Sequence, residues 1–125
     1  MIDHVSLAVS DLRRSIAFYD AVFGALGIMR LWTAVDAAGY GYEGSDEPFA
    51  IKEVEPGHVV ARNPRAHVAF RAPSREAATL FHRRALELGG ADEGAPGLHS
   101  EDGPGYFAAF VSDPDGNRLE AVVHE

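Results

Sequence analysis

The chain has 125 residues, 46% hydrophobic and 24% charged, with a net charge of −8, which fits one compact domain with a real core. The absence of cysteine excludes disulfides, thiolate catalysis and cysteine-based zinc sites, and the acidity argues against nucleic acid, whose phosphates reward clustered Lys and Arg. No apolar run approaches the roughly 20 residues that span a bilayer, and the N-terminus enters a strand pattern without a secretory leader, so a cytoplasmic protein without a membrane partner is expected.

In "IDHVSLAV" the apolar residues Val5, Leu7 and Val9 alternate with His4, Ser6 and Ala8, the period of a half-buried strand. A helix is predicted from Asp11, a good N-cap, carrying Ile16, Tyr19, Phe23 and Leu26 at helical spacing and stopping at Gly27. Three strand candidates follow, "GIMRLWTAV", "AGYGYEG" and "FAIKEV", separated by Gly, Asp and Pro signals. "RAHVAFRAP" reads as a strand with Val68 and Phe70 on its apolar face. A helix from Ser74 then carries Ala77, Phe81, Ala85 and Leu88 and ends at Gly89-Gly90. "ADEGAPGLHSEDGPG" reads as mostly loop with room for a short strand. "YFAAFVS" and "RLEAVVH" form a hairpin around "DPDGN".

The same plan occurs twice. "HVSLAVSDLRRSIAFYDAVFGALG" from His4 lies over "HVAFRAPSREAATLFHRRALELGG" from His67 without a gap, at an offset of 63 residues. His4 meets His67, Phe18 meets Phe81 and Gly27 meets Gly90. One domain over 1–125 is expected, built from two β-α-β-β-β modules spanning about 1–62 and 63–125. The fold class is α+β: an open, mostly antiparallel, barrel-like cup with helices outside.

Alternation places His4, His67 and Glu120 on the helix-free face of their strands. Two imidazoles and one carboxylate on such a face suit a divalent metal (Fe, Ni, Co, Zn or Mn) with positions left open for substrate. Each residue also has an ordinary reading. A lone strand histidine is commonly hydrogen-bonded or partly exposed, and Glu120 can pair with Arg118, two residues away on the same face.

The segments "DHVSLAVSDLRRSIAFYDAVFGALG", "HVAF" and "FVSDPDGNRLEAV" resemble the vicinal oxygen chelate superfamily, which includes glyoxalase I, fosfomycin thiol transferases, extradiol dioxygenases and bleomycin-resistance proteins. The resemblance implies metal ligands at His4, His67 and Glu120 and a homodimer, in some relatives with each site built from both chains. It also implies a small substrate chelated through vicinal oxygens, in a lyase or isomerase of glyoxalase type. A metal-free drug-binding protein, a thiol transferase and a dioxygenase are the alternatives. Relatives with four ligands carry the fourth on the fourth strand. Here that strand puts Ile51, or a neighbour, opposite Glu120, with Glu53 two residues on. Glu120, Glu53 and Tyr106 are the candidate catalytic residues. His99 is a weaker candidate base, and Trp32, Tyr40 and Tyr42 are candidate pocket walls beside Tyr106.

Overall fold

A computed structural model describes residues 1–46 and 48–125. The elements run β1 Val5–Val9, α1 Leu12–Ala25, β2 Met29–Thr33, β3 Ala37–Gly41, β4 Phe49–Glu53, β5 Val68–Arg71, α2 Arg75–Glu87, β6 Ala91–Leu98, a short 3-10 turn Ser100–Asp102, β7 Tyr106–Ser112 and β8 Arg118–His124. Among the described residues they form two four-stranded mixed sheets, ordered β1-β4-β3-β2 and β5-β8-β7-β6, with no closed barrel. In each sheet the first strand of the module pairs in parallel with the last, and the other pairings are antiparallel. The two βαβββ modules of the sequence are therefore present as an α+β fold. Among the described residues no helix is long and apolar enough to cross a membrane.

Local signals set both helices. Asp11 accepts from Arg14 N at 3.2 Å and Ser74 accepts from Ala77 N at 3.1 Å, each relieving an orphan donor of the first turn. Gly27 at φ 78° and Gly89 at φ 92° follow the helix ends in the left-handed region that stops them. Phe18, Tyr19, Val22 and Phe23 of α1 are fully buried, as are Ala78, Phe81 and Ala85 of α2. The helices pack against each other, and one continuous core runs through both modules.

The segment read as mostly loop contains β6, eight residues long. Its ladder with β7 slips twice, between Asp92 and Gly94 and between Gly94 and Gly97. Such bulges erase the alternation by which a strand is recognised. Pro96 is tolerated because β6 is an edge strand. Gly94 is required for a different reason: a Cβ there would stand 2.9 Å from the Phe110 ring, which lies over it.

The turn "DPDGN" joins the modules. The Asp113 carboxylate, 3% exposed, accepts from the Tyr19 hydroxyl of α1 at 2.7 Å and from Asp115 N, Asn117 N and Asn117 Nδ2 at 2.9 Å each. Asp115 accepts from Ser10 N at 3.0 Å and Arg14 at 3.2 Å, and Asn117 Nδ2 donates to Ala8 O at 2.9 Å. Burial, with Asp113 second, raises the Tyr19 phenol well above its usual range, so it stays a neutral donor.

Candidate active site on the helix-free face of the second sheet

Strand register builds this face row by row. Ala69, Glu120 and Phe110 are successive Cα partners across β5, β8 and β7, and Gly94 of β6 follows. His67, two residues before Ala69, and Tyr106, four before Phe110, share this face by strand periodicity. Glu120 sits on an interior strand, so its carboxylate is covered on both sides. Its side chain is 3% exposed, against 46% for His67.

Both carboxylate oxygens have partners. His67 Nε2 lies 3.0 Å from Oε1, and the Tyr106 hydroxyl donates to Oε2. Phe110 walls the group: the His67 ring centroid lies 6.3 Å from it and that of His99 5.2 Å, both edge-on. The expected Arg118–Glu120 pair does not form. Arg118 donates to Pro64 O at 2.8 Å and lies 3.4 Å from Glu93, because long side chains on an edge of a face reach across strands as easily as along one.

The bond to Glu120 raises the Tyr106 phenol to about 12, with burial second. A neutral hydroxyl is a better partner for the carboxylate than a phenolate. Tyr106 is therefore a neutral hydrogen-bond donor at neutral pH. Its contribution to stability is complete below pH 10 and is lost as pH rises through about 12, since only the unfolded chain ionises in between. Alkaline difference absorbance at 295 nm is expected to show one tyrosine titrating near 12 that returns toward 10 in Glu120→Gln.

The other expected residues lie elsewhere. The His4 imidazole meets the Asp3 carboxylate on the first sheet's side, with Nδ1 2.6 Å from Oδ1 and the His4 side chain 61% exposed. The donor atoms of His4, His67 and Glu120 are not gathered within 4.8 Å; among the described residues the trio that is so gathered is His99, Glu101 and Asp102, on the turn after β6 whose His99 ring packs on Phe110. Glu53 Oε2 accepts from Leu12 N at 2.7 Å, serving the positive N-terminal end of α1 rather than facing Glu120. Tyr40 is fully buried and donates to Asp20 at 2.9 Å, so it is core, and Tyr42 is 53% exposed.

The register also settles the fourth-strand position. Ser6 matches Ala69 in the repeat, and Ser6 pairs with Ala50 as Ala69 pairs with Glu120. Ala50, not Ile51, is the counterpart of Glu120; Ile51 points into the core at 0% exposure. The row continues through Gly39 to Trp32, whose indole lies on the glycine: a Cβ at Gly39 would stand 2.1 Å from Nε1. The first sheet thus offers His4 and no second carboxylate at the duplicated position.

The profile of the Glyoxalase/Bleomycin resistance protein/Dioxygenase superfamily matches residues 1–121. A glyoxalase/bleomycin resistance protein from Albidiferax ferrireducens is 30% identical over 97% of both chains, with a TM-score of 0.85. A glyoxalase I mutant from Zea mays is 26% identical over 97% of this chain and 45% of its own, with a TM-score of 0.75. The fosfomycin resistance protein FosX from Listeria monocytogenes shares the fold, with a TM-score of 0.70, 18% identity and coverage of 100% and 93%. No curated protein matches. The chain belongs to the glyoxalase/bleomycin resistance protein/dioxygenase superfamily.

Proposed function

We propose that this chain is a metal-dependent enzyme of glyoxalase type, a lyase or isomerase acting on a small substrate bound through two neighbouring oxygens. One observation carries the reading: a carboxylate almost sealed from water, Glu120, sits on a helix-free sheet face with the Nε2 of His67 3.0 Å away. Burying a carboxylate is costly unless something compensates it. An imidazole and a carboxylate side by side fit a borderline divalent ion such as Ni, Fe, Mn, Co or Zn. Such an ion would supply Lewis-acid polarisation of the substrate oxygens.

His67 and Glu120 are two ligands of this site, and His4 is the third. His4 belongs to the other sheet and is not gathered with them, so a second copy of the chain supplies it in a cytoplasmic homodimer. Ala50 leaves the fourth position without a protein ligand. The Tyr106 hydroxyl, neutral and donating its one hydrogen to Glu120 Oε2, would be released when Glu120 turns to an ion and could then donate that hydrogen bond to a substrate oxygen that gains charge. Glu53, engaged at the α1 N-terminus, has no part in this chemistry.

Protein purified without chelator is expected to carry about one divalent ion per chain, the stoichiometry of a three-ligand open site. It should sediment as a dimer at micromolar concentration. A metal-free protein that gains no affinity for Ni, Mn, Fe, Co or Zn on supply would overturn the proposal.

A second reading, a metal-free binder of a cationic drug, draws support from the same group. Tyr106 and His67 already satisfy both Glu120 oxygens, and the net charge is −8. Calorimetric titration with bleomycin separates the two, since submicromolar binding unaffected by His4→Ala belongs to the second reading alone.

A further inference from the structure

We propose that Glu93, the extra residue of the first β6 bulge, is a positioning residue that aims His67 at Glu120 through a clamp of two arginines. The inference rests on the metal-site reading above. Asp92 pairs with Val111 and faces the helices, where it meets His82 at 2.9 Å, whereas Gly94 pairs with Phe110 on the opposite face. The residue between them is unpaired, and a bulge turns such a side chain in a direction a regular strand does not allow. Glu93 uses it to reach Arg62 at 2.7 Å and Arg118 at 3.4 Å, with its own side chain only 18% exposed.

Both arginines act on the segment that leads into β5. Arg62 starts that segment. Arg118 donates to Pro64 O at 2.8 Å. Asn63 Oδ1 closes the turn between them, accepting from Arg65 N and Ala66 N at 2.9 Å each. His67 is the next residue and precedes the first β5 ladder pair at Val68, so no sheet hydrogen bond of its own fixes its backbone. The clamp does this instead. One carboxylate between two guanidinium groups also offsets positive charge beside the metal site, where it would weaken binding.

The test is cobalt(II) titration of wild type, Glu93→Gln, Arg118→Ala and, as a control for loss of one surface carboxylate, Glu87→Gln, following affinity and the visible d–d band. Glu93→Gln and Arg118→Ala are expected to weaken cobalt binding by about 10–100-fold and to shift the band, as loss of an outer support of a ligand does. Glu87, 63% exposed and paired with Arg83, should leave both unchanged. Arg62→Ala, which cuts one arm, gives the smaller loss should Arg118→Ala fold poorly. In the metal-free protein the His67 ring 15N shifts report the His67–Glu120 hydrogen bond directly and should move in Glu93→Gln. Wild-type affinity and an unchanged band in Glu93→Gln would overturn the inference. If wild type takes up no cobalt, the metal reading fails by itself, and unchanged His67 shifts would then overturn the clamp as well.

Discussion

Glu120→Gln is expected to weaken divalent-metal binding by more than about 100-fold, because removing a ligand costs more than the 10–100-fold typical of its outer supports. The same change should barely affect folding of the metal-free chain. The glutamine carbonyl still accepts from Tyr106, and its amide can face the other tautomer of His67. Replacing a desolvated charge by a neutral group of the same shape is commonly neutral or stabilising. A shift within about 1 kcal/mol, or roughly 4 °C in Tm for a chain of this size, is therefore expected. Metal titration and thermal denaturation on one preparation check both halves. Undiminished metal affinity in Glu120→Gln would remove Glu120 from the site.

Asp113→Ala carries the largest expected loss of stability. It strips four hydrogen bonds from one almost fully buried carboxylate and leaves the sealed Tyr19 hydroxyl with no partner. A buried donor deprived of a charged acceptor costs the full desolvation of the group, and two turn amides are lost with it, so about 3–5 kcal/mol is expected. This lowers Tm by about 10–20 °C. Tyr19→Phe removes the donor instead and leaves Asp113 its other three bonds, so about 1–2 kcal/mol is expected. Urea unfolding measures both. Equal losses in the two variants would mean that Asp113 acts through its joint to Tyr19 alone, and no loss in Tyr19→Phe would mean that it acts through its own turn.

The parts of this molecule that were legible in its sequence are local or periodic. Asp11 and Ser74 announce the helices because an N-cap acts within three residues. Val5, Leu7 and Val9 announce β1, and the phase of Leu119 and Ala121 turns Glu120 to the helix-free face, because alternation needs no knowledge of the neighbouring strand. What failed needed register. The position opposite Glu120 is legible only as Ile51 or a neighbour, because "FAIKEV" slides by one residue without changing its composition, and the ladder Ser6–Ala50 decides for the neighbour Ala50. Arg118 was given to Glu120 because it is near in sequence, whereas the actual partner Tyr106 lies 14 residues away across the hairpin. β6 was hidden by its two bulges, and with it the role of Glu93. The Asp of "DPDGN" read as turn chemistry, and its bond to Tyr19 spans 94 residues. The fold could thus be read almost whole. The site could be read only as a set of faces, without its contacts.

In the proposed site His67 and Glu120 of one chain share a divalent ion with His4 of another. Nickel titration of His4→Ala, of Glu120→Ala and of their equimolar mixture after subunit exchange tests it directly. Each variant alone should bind no nickel tightly. In the mixture every mixed dimer regains one site free of either substitution, so by the symmetry of a two-fold dimer about a quarter of the wild-type sites should return. Tight binding by His4→Ala alone, or no recovery in the mixture, would contradict the account.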